Sequence, residues 1–193
     1  MKITFLLPHL KPAGGVFAPF MFAHHLSKRG HHVTIAVESK VWTRYVRNLF
    51  HSRTHPLLPR DSAVRIKRVK DFSELPDGDA FISASWVSAK KLQNLKISAK
   101  KFDYVQHDER LYHGDPKLVE ETYRYPIIRI PNATWLQRMF KTEFHEDTTL
   151  LINAVDCEQF HPNKRTRSPD DGVTKVLVLH HDYEWKGTKE GVE

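Results

Sequence analysis

Four ionisable side chains stand in a row from His107 to Arg110, directly after an apolar stretch. That stretch, residues 102–106, has the composition of a buried strand, and open α/β sheets bind ligands at the carboxyl ends of their strands. His107 could donate a hydrogen bond or carry a proton near neutral pH, and Asp108 or Glu109 could bind sugar hydroxyls. A solvated loop with local salt bridges explains the row equally well.

A glycine pair, Gly14 and Gly15, stands between a predicted strand at 3–7 and a predicted helix at 16–29. Two glycines let the backbone approach a ligand closely, and the N–H groups of a helix N-terminus can face a phosphate. The pattern is not the G-x-G-x-x-G of dinucleotide binders, and only Glu38, after the second predicted strand, is placed to bind a ribose. A glycine turn with no ligand accounts for the pair as well.

Two further features could bind a ligand or a surface. Trp86, which follows the predicted strand 80–84, could stack on the face of a sugar, although such a tryptophan more often packs against a core. The segment from Lys40 to Phe50 predicts a basic amphipathic helix with aromatic side chains. A helix of this kind can make peripheral contact with an anionic membrane, and the alternative is a helix that packs on its own domain.

The charge of the chain favours anionic partners. The net charge is +7, and nine lysines and arginines stand between residues 40 and 70 against the single acid Asp61. The histidine pairs 24–25, 31–32 and 180–181 lack the spacing and the acidic companion of a zinc helix, so no metal is expected. The basic stretches match no nucleic-acid-binding motif, so nucleic acid is not an expected partner.

The order of the predicted elements indicates the fold class. Strand, glycine loop, helix and strand within residues 3–37 form a βαβ unit, which implies a parallel sheet. Thr134 and Gln137 match a capping box at the start of a later helix. Further strands are predicted at 80–84, 102–106, 127–130 and 149–152, with a helix at 87–94. We therefore expect an α/β, Rossmann-like parallel sheet with helices on both faces.

Composition divides the chain into three parts. Residues 1–160 predict one complete domain of ordinary size. Residues 161–172 contain no apolar side chain, which is typical of a linker. Residues 173–193 begin with an apolar strand that cannot fold alone, so they predict the incomplete start of a second domain.

Several features of the sequence favour a cytoplasmic protein. The lone Cys157 excludes an intrachain disulfide and fits a reducing compartment. The apolar run at the N-terminus ends at Pro8, which is too short for the core of a signal peptide. No apolar stretch approaches the roughly 20 residues that a membrane-spanning helix needs.

Four stretches, taken in order, resemble the retaining GT-B glycosyltransferases of the glycosyl transferase group 1 family. They are 2–8 with Gly14, Gly15 and 26–33; 104–109; 152–156 with 160–162; and 186–187. The third resembles the family's Asn-Gly-Val-Asp…Phe-x-Pro crossing into its second domain, and it is the most specific. The matches span nearly the whole chain.

The resemblance implies two Rossmann-like domains that face each other across a cleft, with the acceptor on the first and the nucleotide sugar mainly on the second. Gly14 and Gly15 would approach the donor diphosphate, where backbone amides stabilise the charge that leaves. His107 matches the active-site histidine that contacts the transferred sugar. Lys186 matches the lysine that clamps the diphosphate, which requires neither a metal nor another cofactor. The remaining candidates would bind a glycan or lipid-linked acceptor: Trp86, Asp108 and Glu109.

Two positions depart from the family's pattern. Ala154 replaces the usual glycine, and His180 replaces an arginine that commonly helps to hold the diphosphate. The paired glutamates of the family's second domain would lie beyond Glu193. We therefore expect the chain by itself to be inactive or severely impaired, unless another polypeptide supplies the missing half.

Two other classes of function stay open at this point. One is a non-catalytic module that binds the acceptor and works with a partner subunit. The other is an unrelated Rossmann-like nucleotide-binding protein. A reading frame that continues with the paired glutamates would favour the enzyme, whereas saturable NAD binding would favour the nucleotide-binding protein.

Overall fold

The computed structural model of the chain describes residues 1–39, 55–112, 114–157, 160–161, 172, 176–180 and 186–192. These residues form six strands: β1 Lys2–Leu7, β2 His32–Glu38, β3 Arg65–Val69, β4 Ala80–Ser83, β5 Lys100–Val105 and β6 Ile128–Pro131. They also form four helices: α1 Gly14–Lys28, α2 Trp86–Asn94, α3 Pro116–Tyr123 and α4 Thr134–Glu143. Two single 3-10 turns are present at Phe72–Glu74 and Glu109–Leu111.

The six strands form one parallel sheet in the order β3-β2-β1-β4-β5-β6. The chain runs outward from β1 to β3, then crosses back to place β4 on the other side of β1 and runs outward again. Ligands of open α/β sheets bind outside the carboxyl ends of the strands at the point where the order reverses. That point lies between β1 and β4. The sheet confirms the predicted α/β, Rossmann-like fold class.

Both faces of the central strand β1 are buried, as a parallel sheet requires. Phe5 and Leu7 point to one face, where they belong to the same apolar cluster as Phe20 of α1. Leu6 points to the other face and clusters with Leu92 of α2. Helices α1 and α2 therefore cover opposite faces, and both begin at the carboxyl edge of the sheet.

The first βαβ unit follows the sequence pattern closely. The predicted helix 16–29 is confirmed as α1, although it begins two residues earlier, at Gly14. Gly30 has a φ of +85°, a left-handed conformation that favours glycine and ends the helix there. The strand predicted at 33–37 is confirmed as β2.

Two local predictions are wrong. Helix α4 begins at Thr134, so the N-cap is Ala133 and Thr134 is the first helical residue; the capping box cannot form. Gln137 instead donates from Nε2 to the carbonyl of Thr148 at 2.9 Å. Residues 149–152 form no strand; Leu151 N donates a backbone hydrogen bond to Pro131 O of β6 at 2.9 Å, and no ladder is built on it.

Two elements were not predicted. Strand β3 reads Arg-Ile-Lys-Arg-Val, and its charges obscure a strand whose Ile66, Arg68 and Val69 are buried. Helix α3 is short and acidic, with few apolar residues to mark its period. Its start is nevertheless well defined, because Asp115 accepts a hydrogen bond from Lys117 N at 2.8 Å and Pro116 follows as the first helical residue.

The chain divides into two compact units, Met1–Asn153 and Ala154–Glu193. The sheet and the four helices all belong to the first unit. In the second unit, residues 176–179 are described and form no strand, and three of their apolar side chains are largely exposed: Val176, Leu177 and Leu179. Apart from residues 161 and 172, the predicted linker lies outside the described residues.

The predicted amphipathic helix from Lys40 to Phe50 lies outside the described residues. Its membrane contact therefore stays a prediction from the sequence. Among the helices that the structure describes, none has the length and apolar character needed to cross a bilayer.

Candidate functional site

The first turn of α1 presents its backbone openly at the carboxyl edge of the sheet. Helix α1 begins at Gly14 after Ala13, and within the described part of the chain no side chain caps it. A Cβ added to Gly14 would meet no described atom within 4 Å, and one added to Gly15 would lie 3.6 Å from Gln106 Nε2, an ordinary contact. Neither glycine has a positive φ. The described protein therefore does not itself require glycine at either position, which leaves close approach by a ligand as a reason for the pair.

A single hydrogen bond joins the glycine pair to the loop after β5. The side-chain amide of Gln106 donates from Nε2 to the carbonyl of Gly15 at 2.7 Å, across 91 positions of sequence. Gln106 immediately precedes His107. The two segments singled out in the sequence, the glycine pair and the polar row, are thus neighbours at one edge of the sheet, beside the reversal between β1 and β4.

His107 stands at the start of this loop and is partly buried. Its ring centroid lies 6.0 Å from that of Tyr112, with an angle of 48° between the ring planes. Tyr112 ends the turn that the polar row forms and is 44% exposed. The candidate catalytic imidazole therefore has an accessible aromatic ring beside it.

The carboxylate of Asp108 is bound within the protein. Arg110 donates to it from Nε at 2.9 Å and from a terminal nitrogen at 2.8 Å, and the same guanidinium reaches Glu143 of α4 at 2.8 Å. The guanidinium also lies 5.8 Å from the ring centroid of Tyr123. The bond to Asp108 is the main cause that raises the pKa of Arg110. Asp108 thus holds the loop to its own neighbour, and the structure gives no support for its predicted contact with an acceptor.

Glu109 is bound at the start of α2. Its Oε2 accepts a hydrogen bond from the backbone N–H of Trp86 at 2.6 Å, and its own N–H donates to the hydroxyl of Tyr123 at 3.0 Å. Burial raises the pKa of Glu109 to about 8, and the nearby acids Asp103 and Asp108 add to the rise. Glu109 is therefore mostly protonated at neutral pH, and its predicted contact with an acceptor is likewise unsupported.

Trp86 packs under the same loop. A Cβ added to Gly114 would lie 2.8 Å from the indole ring, so the backbone at Gly114 covers one part of that ring. Other contacts place Trp86 against the apolar cluster that contains Val105 and Leu136. These contacts are of the kind that the packing alternative expects, but the ring stays partly exposed, so the predicted stacking of Trp86 on a sugar stays a prediction.

Lys186 belongs to the second unit, where it is exposed and precedes Gly187, whose φ is +68°. The first unit holds the other candidate site residues. The predicted clamp on a donor diphosphate by Lys186 therefore stays a prediction.

The residue considered for a ribose contact has other partners. The carboxylate of Glu38, at the end of β2, is paired with the ammonium of Lys91 and accepts a hydrogen bond from Phe72 N at 3.3 Å. A dinucleotide-binding site would need this carboxylate to be available for ribose hydroxyls. The pairing therefore disfavours that function.

A shallow, polar depression lies at the opposite, amino edge of the sheet, and its acidic side chains hydrogen-bond to nearby backbone N–H groups. The Ser98 hydroxyl donates to Asp77 at 2.7 Å and Ser98 N at 2.8 Å, and these bonds lower the pKa of Asp77 to about 2. Asp79 accepts from Lys2 N at 2.6 Å. The depression is lined by Met1, Lys2, His32, Asp77, Gly78, Asp79 and Ser98. Its acids fix local backbone rather than mark a second site.

Two residues of the site were missed by sequence reasoning. The sequence predicts Gln106 as the end of a strand, and no local signal shows that its amide reaches Gly15. Tyr112 lies outside the row from His107 to Arg110, so its side chain did not stand out. It follows His107 by five residues, and the turn Glu109–Leu111 lies between them.

No known family model matches the chain, and no curated protein sequence matches it. The function proposed below therefore depends on the geometry of the carboxyl edge and on the resemblance of the sequence motifs.

Proposed function

We propose that this chain is the acceptor-side domain of a retaining GT-B glycosyltransferase, which transfers a sugar from a nucleotide-sugar donor to a glycan or lipid-linked acceptor. The observation that carries the proposal is the hydrogen bond from Gln106 to Gly15. It joins the two motifs that resemble the family, at the edge of the sheet where α/β folds bind ligands.

In the proposed site each group has one task. The open N-terminus of α1, at Gly14 and Gly15, faces the donor diphosphate, and its backbone amides stabilise the negative charge that builds as the nucleotide leaves. His107 contacts the transferred sugar. Lys186, in the second unit, stays the lysine that the resemblance predicts for the diphosphate.

The strand order also occurs in dinucleotide-binding proteins, which makes that class the natural competitor. The pairing of Glu38 with Lys91 and the lack of a third glycine in the loop after β1 both disfavour it. A non-catalytic acceptor module would share the acceptor surface but would not need an open helix N-terminus beside His107.

The test is calorimetric titration of UDP and of GDP into the wild-type protein and into Gly14→Ala. A methyl group at Gly14 meets no described atom, so it should not disturb the fold, and helical alanine should raise the free energy of unfolding by about 0.5 kcal/mol. The same methyl group would crowd a bound diphosphate and should weaken binding about tenfold or more.

The matched control is Ser27→Thr, which adds one methyl group to the last turn of the same helix and keeps the hydroxyl that donates to His24 O. It should bind the nucleotide as the wild type does. Failure of both nucleotides to bind the wild type, or equal affinity in Gly14→Ala, would show that no diphosphate site exists at this helix.

A further inference from the structure

Asp108 and Glu109, the two acids at the start of the turn after β5, both have partners within the protein. Asp108 is held by Arg110, and Glu109 is bound to the N–H of Trp86. An acceptor that approaches His107 therefore does not find the acidic side chains with which sugar-binding loops commonly hold hydroxyl groups. What the loop offers to a ligand must come from its other side chains.

Two side chains in the described part of the loop are both apolar and exposed. Leu111 is 61% exposed and Tyr112 is 44% exposed, and the Tyr112 ring lies 6.0 Å from the ring of His107. By contrast, the Trp86 ring is covered in part by the backbone at Gly114. Tyr112 thus provides an exposed aromatic face beside the candidate catalytic residue.

The backbone of Tyr112 is held by the turn that carries it. Tyr112 N donates to Glu109 O at 3.4 Å, and Leu111 N donates to Asp108 O at 3.2 Å. Hydrogen bonds also join this turn to two helices, through Arg110 to α4 and through Glu109 to α2. A turn that is ordered before binding reduces the conformational entropy lost when a ligand stacks on a tyrosine, whose side chain has few rotatable bonds.

We propose that Tyr112, together with Leu111, is the acceptor-binding platform of the site, and that it recognises a pyranose ring by stacking against its apolar C–H face. This inference rests on the proposed function for the role of the bound sugar as acceptor. The recognition itself depends only on Tyr112 and its neighbours. Tyr112 thus selects acceptors that present a sugar ring at the position of attack, rather than open-chain polyols.

The experiment uses NMR titration of the wild-type protein with three methyl pyranosides, those of β-glucose, β-galactose and α-mannose, and with sorbitol as the open-chain probe. At least one pyranoside should shift the ring signals of Tyr112, and sorbitol should not. Tyr112→Ala should weaken that pyranoside about fivefold to tenfold, whereas Tyr112→Phe, which keeps the ring, should stay within about twofold of the wild type.

The matched control is Tyr125→Ala, which removes a partly buried tyrosine that precedes β6 at the amino edge of the sheet. It should leave pyranoside affinity unchanged. UDP binding is measured on the same samples, and Tyr112→Ala should leave it unchanged.

The outcomes separate the two proposals. Equal pyranoside affinity in the wild type and Tyr112→Ala, or no binding of any pyranoside while UDP binds, would overturn the role of Tyr112 and leave the proposed function in place. Loss of pyranoside binding in Tyr112→Ala supports the platform. If the pyranoside binds at Tyr112 but no nucleotide binds the protein, the platform stands and the glycosyltransferase proposal fails.

Discussion

Replacing Glu109 by glutamine should stabilise the protein, and more so as the pH rises. Glutamine has the shape of the protonated acid, and its carbonyl can still accept the hydrogen bond from Trp86 N. Burial raises the pKa of Glu109 from 4.5 to about 8 in the folded protein. The folded state therefore binds the proton more tightly than the unfolded chain does.

The sign of the pH dependence follows from this difference. Below about pH 4.5 Glu109 is protonated in both the folded and the unfolded state, so its ionisation does not lower the free energy of unfolding. Between about pH 4.5 and 8 only the unfolded chain gives up the proton, so the wild type loses stability as the pH rises through this window. Above about pH 8 the loss is complete, because both states are then ionised.

The size of the effect can be bounded from the same two values. Full conversion of the pKa difference gives a ceiling of roughly 5 kcal/mol. Glu109 keeps some contact with water, which screens the penalty, so we expect a gain of about 2 kcal/mol for Glu109→Gln at pH 8.5 and of nearly zero at pH 5.

The assay is urea unfolding followed by circular dichroism at several values of pH from 5 to 8.5. Glu121→Gln, which removes an exposed carboxylate from α3, is the matched control and should follow the wild type closely. Parallel stability curves for the wild type and Glu109→Gln across this range would refute the claim that Glu109 is buried as a neutral acid beneath the site.

Two further predictions concern the sheet and the site. Arg129→Met should lower the free energy of unfolding by about 3 to 5 kcal/mol, because it leaves the buried carboxylate of Asp103 without its cation. The matched control is the exposed Arg124→Met, which should lower the free energy of unfolding by about 0.5 kcal/mol or less in the same urea titration. A similar cost for both variants would contradict the buried pair. Gln106→Ala should lower UDP affinity about threefold to tenfold, measured by calorimetry, and should lower the free energy of unfolding by about 1 kcal/mol, measured by urea unfolding. Unchanged UDP affinity would mean that the hydrogen bond to Gly15 does not shape the site.

The fold was predictable where apolar runs are unbroken by charge. β1 and β2 bury most of their residues on both faces, and an unbroken apolar run in the sequence indicates such a strand. Strand β3 was not predicted because Arg65 and Lys67, at its less buried positions, interrupt the apolar pattern. Helix α3 was not predictable because most of its residues are polar. Val119 and Tyr123 are buried only through contacts with the rest of the domain.

The candidate site was predictable only in part. Its location followed from the rule that polar residues after parallel strands meet at one edge, which placed the glycine pair and His107 together. The partners of the carboxylates did not follow. The bond between Asp108 and Arg110 is local and matches the salt-bridge alternative, but Glu109 reaches Trp86 N across 23 positions of sequence. Such a contact depends on how two strands are paired, which the local sequence does not encode.

The most direct test of the central claim is to map nucleotide binding onto the backbone by NMR, with isotopically labelled protein and UDP. We predict that the amide signals of residues 14–17 and 106–108 shift together with one affinity, because the hydrogen bond from Gln106 to Gly15 makes them parts of one site. Shifts confined to the depression at the amino edge, around Asp77 and Ser98, or the absence of any shift at residues 14–17, would contradict the account.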